Sequence, residues 1–164
     1  MADSKIIIGV LVNNKPGVLM HITELFTKRC FNIDSLVVGM TEKPAISRMT
    51  ITSIGDVQIE NQIVKQLSKL HDVLHVAVIP ENKATVREHM LIKMEVTAET
   101  SSAVTEMINA FAAKVIDFTA STVTAEVTGE VENNDRFVEA SKEYGIIEIC
   151  RAGAQALHRG NTSL

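Results

Sequence analysis

What most restricts the fold of these 164 residues is an order of elements, strand, helix, strand, strand, helix, strand, that reads once before Pro80 and again after Arg87. Residues 5–12 form a nearly unbroken apolar run, the pattern of a strand covered on both faces. Asn13-Asn14-Lys15-Pro16-Gly17 ends it, and Val18, Ile22, Leu25 and Phe26 then recur at the spacing of one helix face. Lys28 and Arg29 suit the negative end of that helix. Residues 31–40 and 46–54 read as a strand hairpin around a turn at Glu42-Lys43-Pro44. Asp56 can cap a second helix with Ile59, Ile63, Leu67 and Leu70 on one face, and residues 73–79 supply a closing strand.

The second round begins with Met90, Ile92, Met94 and Val96 alternating against Leu91, Lys93 and Glu95. Val104, Met107, Ile108 and Phe111 share a helix face, 115–118 and 122–128 read as two strands, and Phe137, Val138, Ser141 and Tyr144 lie along a helix capped near Asn134 or Asp135. Residues 146–151 close the set. The expected fold class is therefore α+β, two ferredoxin-like βαββαβ sandwiches in tandem, each with two helices on one face of a four-stranded antiparallel sheet. Residues 1–80 form the first domain, the polar stretch 81–87 a linker and 88–164 the second domain. A sheet with helices on one side leaves its other face or its edge bare, and pairing with a second copy is the commonest way to cover it, so a homodimer is expected.

Composition removes several function classes. A formal charge of −4 and a pI near 5.7 give no electrostatic footprint for nucleic acid or an anionic membrane, so neither is expected as a partner. With no Trp and one Tyr, stacking platforms for single strands are lacking too. The apolar stretch 6–12 is too short to span a bilayer, follows Asp3 and precedes no small-residue cleavage site, which points to the cytoplasm. Cys30 and Cys150, each set among apolar residues, read as reduced and buried, not as a disulfide or a zinc ligand pair. His71 and His75 lack the His-Glu-x-x-His pattern, no glycine-rich phosphate loop is present, and Glu95, Glu99 and Glu106 read as solvated faces, so no catalytic set emerges.

The segment that carries chemistry joins the first strand to the first helix. Pro16 and Gly17 leave the first helical N–H groups accessible, and Gly17 has no Cβ to hold a ligand away. Exposed donors and the helix dipole contribute about 0.3 to 2 kcal/mol to holding a carboxylate there, too little alone for useful affinity. Asn14 can offer an amide oxygen to an α-ammonium, and Val18 and Leu19 can line a space for an aliphatic side chain, worth about 1.5 to 3 kcal/mol when buried. Together these describe a receptor for an amino acid such as valine. The same Asn-Lys-Pro-Gly string also makes a good strand-to-helix turn with no ligand, and spacing alone does not choose between the two.

Asn14-Lys15-Pro16-Gly17-Val18-Leu19, Leu25-Phe26, Arg29, Phe31-Asn32-Ile33-Asp34-Ser35-Leu36 and Ser47-Arg48-Met49-Thr50-Ile51 together resemble the ACT-domain small regulatory subunits of acetolactate synthase, also called acetohydroxyacid synthase. The likeness runs on through Arg87-Glu88, Val115-Ile116-Asp117 and Arg151-Ala-Gly-Ala-Gln-Ala-Leu-His-Arg-Gly160, and so covers essentially the whole chain. It implies an ACT domain over 1–80 for effector binding and dimerisation, and a chain with no catalysis or cofactor of its own. The partner implied is a catalytic large subunit, on which thiamine diphosphate, Mg and FAD are expected. The small chain would activate it and confer feedback inhibition by valine in branched-chain amino acid biosynthesis. The implied effector site lies at the ACT dimer interface, with Asn14, Lys15, Pro16, Gly17, Val18 and Leu19 of one copy facing Asn32 and Ile33, at the start of strand two, in the other. Asn32 also reads as a turn residue before a strand, and Arg48 as a surface charge or as an effector or partner contact.

Two positions depart from the family pattern: Cys30 stands where a glycine is usual, and His21 where Arg or Lys is common. A rival reading is a free-standing ACT-domain amino acid sensor regulating another enzyme or transcription. The second half speaks against the transcriptional form, because it offers no basic recognition helix.

Overall fold

A computed structural model describes residues 4–164; Asp3, cited above, lies outside the described residues. Among the described residues eight strands and four α-helices follow one another in two rounds: β1 (Ser4–Asn13), α1 (Val18–Lys28), β2 (Ser35–Met40), β3 (Ile46–Gly55), α2 (Val57–Leu67) and β4 (Val73–Val78), then β5 (Ala84–Glu95), α3 (Ser101–Ala110), β6 (Lys114–Phe118), β7 (Thr122–Gly129), α4 (Val131–Ser141) and β8 (Ile146–His158). The strands make two four-stranded sheets, in the orders β2-β3-β1-β4 and β6-β7-β5-β8. Each sheet has its round's first strand inside and its second strand at one edge. This is the doubled ferredoxin-like α+β architecture expected from the sequence.

In the first unit, Ile6, Ile8, Val10 and Val12 of β1 and Met49 and Ile51 of β3 meet Val18, Ile22 and Phe26 of α1 and Ile63 and Leu67 of α2. These helix positions recur every three to four residues, so one stripe of each helix is dry. Asp56 caps α2 as expected, its Oδ1 accepting from the N–H groups of Gln58 and Ile59 at 2.9 Å each. α1 ends differently. The N–H of Phe31 bonds the carbonyl of Phe26, that of Cys30 bonds Thr27, and Cys30 takes φ 55, a left-handed position that favours glycine. Phe31 then packs edge-on against Phe26, with ring centroids 6.0 Å apart.

In the second unit Met90, Ile92 and Met94 of β5 and Val123, Ala125 and Val127 of β7 pack against Val104, Ile108 and Phe137. A polar cluster sits beside this core. The guanidinium of Arg151 makes two hydrogen bonds to the buried carboxylate of Glu88 and a third to Asp135 at 2.7 Å. The bonds to Glu88 hold the Arg151 pKa above the ordinary arginine value. Asn134 donates to the backbone carbonyl and carboxylate of Glu88 at 3.1 Å each, and its Oδ1 has no partner among the described residues.

Several expectations need correction. Strand two begins at Ser35, not at Phe31. α4 starts at Val131 after Glu130, so Asn134 is a buried residue inside the helix and not its cap; its amide is bound to Glu88 instead. Both cysteines are free and exposed, not buried: Cys30 is in the turn that ends α1, and Cys150 is in β8.

The stretch 81–87 carries regular structure: a 3-10 turn at Glu81–Lys83 runs straight into β5. Its polar letters hide a strand alternation, with Ala84 and Glu88 buried, Val86 half-buried, and Thr85 and Arg87 exposed. The chain separates into one unit that holds the described residues up to Val86 together with Ala154–Leu164, and a second comprising Arg87–Gly153. The last residues thus belong with the first sheet and not with 88–153. The N–H of Arg159 bonds the carbonyl of Lys83 at 2.8 Å, Ala156 is buried with Ile7, Ile79 and Ala84, and Leu164 fills the space that a side chain at Gly9 would need.

Candidate functional site

The loop between β1 and α1 is tied down at its start on two sides. The backbone N–H of Asn14 donates to the carbonyl of Ala45 at 2.8 Å, and its side-chain Nδ2 donates to the carbonyl of Pro44 at 2.9 Å, so the β2–β3 turn anchors it. That leaves Asn14 Oδ1 as the amide's unbonded end among the described residues, an acceptor for an ammonium group. Asn13 is tied by its N–H to the Asp72 carbonyl at 2.9 Å and by its side chain to the Asp72 carboxylate at 3.2 Å.

The helix start is bare. Gly17 is the residue before α1, with φ 88; no side chain caps the helix and no acidic residue lies in its first turn. Lys15, Pro16 and Gly17 are exposed, and nothing lies within 4 Å of where a Cβ on Gly17 would sit. The N–H of Val18 turns back to the Lys15 carbonyl at 3.5 Å, and the remaining first-turn donors and the dipole are open to an anion. Val18 and Leu19, expected to share a cavity, are divided. Val18 is only 4% exposed and, with Ile22, Leu70 and Val73, forms the apolar floor of a cleft of about 260 Å³ rimmed by His21, His71 and Asp72. Leu19 is 43% exposed and not part of that cleft, which leaves it free to cover a ligand from outside.

Asn32 and Ile33 are not at the loop, nor in strand two. They precede β2, where the Asn32 carbonyl accepts from Ser53 Oγ at 2.7 Å and its amide donates to Asp34 at 2.6 Å, while Ile33 is half-buried against the core. One end of the site is fixed beside Ala45 and the other beside Ser53, at opposite ends of β3, separated by about 25 Å of extended strand. One chain does not bring the two halves together.

Arg48 is not a loose surface charge. Its guanidinium donates to the Ala156 carbonyl at 2.6 Å, and burial lowers its pKa. It fastens the last strand's end to the first sheet. Sequence reasoning also missed Asp72, the residue that holds Asn13 and lies 3.9 Å from His21; nothing in its local string announces that role. His71 lies in the turn before β4 and His75 within it. Among the described residues no group of three or more His, Cys, Asp or Glu could hold a metal ion, and no helix is long and apolar enough to cross a membrane.

Comparison with known proteins covers both units. Residues 8–75 match the family described as the AHAS small subunit-like ACT domain, and residues 87–160 match the small subunit of acetolactate synthase. The probable acetolactate synthase small subunit of Archaeoglobus fulgidus is 41% identical over 154 residues, covering 94% of this chain and 96% of that one. The acetolactate synthase small subunit of Mycolicibacterium smegmatis is 42% identical over 154 residues, covering 93% and 90%. The crystal structure of the acetolactate synthase small subunit from Thermotoga maritima superposes with a TM-score of 0.91 at 33% identity, covering 97% of this chain and 99% of that one. With both halves matched and the relatives covered nearly end to end, the chain belongs to the acetolactate synthase small-subunit family, and its first unit is an ACT domain.

Proposed function

We propose that this chain is the regulatory, non-catalytic partner of a cytoplasmic acetolactate synthase large subunit, raising that subunit's activity and making it sensitive to valine. The observation that carries the reading is the uncapped start of α1 beside Asn14 Oδ1, with the matching Asn32-Ile33 corner at the far end of the same sheet. β2 is the edge strand of the first sheet, and Val38 and Met40 on it are exposed. If two copies pair β2 to β2 about a two-fold axis, the strands run antiparallel, and each loop meets the other copy's Asn32-Ile33 corner. The separation seen within one chain thus supports a homodimer with a shared site.

In that site the effector's carboxylate faces the N–H groups at the start of α1 and its ammonium meets Asn14 Oδ1. Leu19 and the partner subunit's Ile33 cover the aliphatic side chain. Burial of that side chain contributes about 1.5 to 3 kcal/mol, more than the helix end alone supplies. Valine binding across two copies favours one arrangement of the paired ACT domains, and a preference of about 1 to 3 kcal/mol is enough to change the hold on the catalytic chain. The thiamine diphosphate, Mg and FAD expected of the holoenzyme are assigned to the large subunit, where the carbon chemistry takes place.

The test is an assay of the large subunit, with and without this chain, across a valine titration. Addition of the chain raises the rate and introduces valine inhibition; Asn14→Ala weakens inhibition and spares activation. Equal loss of both effects in Asn14→Ala would mean that the loop is only structural, and identical valine responses with and without the chain would remove the regulatory reading.

A further inference from the structure

Just before the open helix start, the ladder between β1 and β4 slips by one residue. Leu11 faces His75 and Val12 faces Val73, so Leu74 is an extra, exposed residue on the β4 side. In an unbroken ladder Asn13 would face Val73, which has no polar side chain; with the bulge it meets Asp72. Bulges commonly re-aim one side chain in this way beside functional sites. Asp72 then holds Asn13 twice, its carbonyl accepting from the backbone N–H at 2.9 Å and its carboxylate from Nδ2 at 3.2 Å. The second carboxylate oxygen lies 3.9 Å from His21 Nδ1, and the His21 N–H closes the first turn of α1 on the Gly17 carbonyl at 3.1 Å. Asp72 therefore flanks the open stretch 14–17 at both ends, at its entry and one turn into the helix.

We propose that Asp72 is a positioning residue for the amino acid effector, an inference that rests on the site proposed above. Asp72 acts through Asn13 and not on the effector itself. Asn14 follows Asn13 directly, so the place of Asn13 sets how far Asn14 Oδ1 stands from the N–H groups at the start of α1. Those two features must meet the ammonium and the carboxylate borne by one α-carbon, which fixes the spacing between them. The β2–β3 turn secures Asn14 from one side through Ala45 and Pro44, and Asp72 secures its neighbour from the other. A loop held in its binding geometry before the ligand arrives loses less freedom on binding, and affinity rises accordingly. The role needs an acceptor for Asn13 and not a negative charge, which by itself opposes the effector's carboxylate.

The test is a valine titration of the large subunit with the full chain, run with Asp72→Ala, Asn13→Ala, both together, and Asp72→Asn, the fold of each confirmed by circular dichroism. Loss of folded chain lowers the extent of inhibition, whereas a misplaced Asn14 raises the valine concentration that gives half of it. Asp72→Ala and Asn13→Ala are each expected to raise that concentration about fivefold, the loss of one hydrogen bond. The double variant goes no further, because both changes remove the same contact. Asp72→Asn keeps an acceptor for Asn13 and stays close to the unsubstituted chain. A midpoint unmoved by Asp72→Ala, shifts that multiply in the double variant, or an Asp72→Asn as weak as Asp72→Ala would overturn the proposal and leave the shared site standing. If the unsubstituted chain itself confers no valine inhibition, the site and the proposal fall together.

Discussion

The two βα loops, one in each unit, occupy equivalent places and have opposite characters. Both lead into helices that end in the same way: α1 closes through Cys30 at φ 55 and α3 through Ala112 at φ 53, each followed by an N–H that reaches back into the last turn. The starts differ. Neither helix has a side-chain cap at its first residue, but ahead of α3 Thr97 and Thr100 close a turn on each other, the N–H of Thr97 donating to Thr100 Oγ1 at 2.9 Å and the N–H of Thr100 to Thr97 Oγ1 at 3.2 Å. Ahead of α1 there is Gly17 and no cap. A turn held shut by its own hydroxyls leaves less room for a ligand at the helix start, whereas an open one lets an anion meet the first donors. The fold is repeated and the open helix start is not. The cores differ as well, since among the described residues only the second unit carries a buried carboxylate bound to an arginine.

The contrast between cores sets the largest expected effect. Arg151→Met leaves Glu88 buried without its cation and should destabilise the chain by about 3 to 5 kcal/mol, read by urea unfolding; a loss below about 1 kcal/mol would mean that water reaches Glu88. Gly17→Ala forces a Cβ onto a left-handed residue at a cost of about 1 to 2 kcal/mol and should weaken valine inhibition as well. Thr97→Ala should cost a similar or smaller amount, about 1 kcal/mol, yet leave the valine response unchanged. If the two loop variants shift the valine titration equally, the distinction between open and closed starts fails. The smallest effect is a gain: Cys30→Gly and Ala112→Gly each relieve a left-handed residue and should stabilise by about 1 kcal/mol or less in thermal melts.

Element order was legible because each strand and helix carries its own apolar period, and the cap at Asp56 and the break at Asn13-Gly17 are local signals. What was lost depends on partners distant in sequence. Asn134 looks like a cap until Glu88 takes its amide. The string at 81–87 looks like a linker until its alternate residues are seen to be buried, and the closing segment looks like part of the second domain until Arg48 and Gly9 receive it. Apolar neighbours in sequence make Cys30 and Cys150 look buried, whereas a turn and a strand surface expose them. For the candidate site, the loop residues were legible by chemistry, while the division of Val18 from Leu19 was not, because it depends on which way the first helical turn faces.

The most direct test of the shared amino acid site is calorimetric titration of the purified chain with valine, leucine and isoleucine, repeated with Asn14→Ala and Asn32→Ala. Saturable heat is expected with at least one of the three, and its loss in either variant, since each would remove one side of a site shared by two copies. No heat with any of them, or binding unchanged when both asparagines are gone, would contradict it.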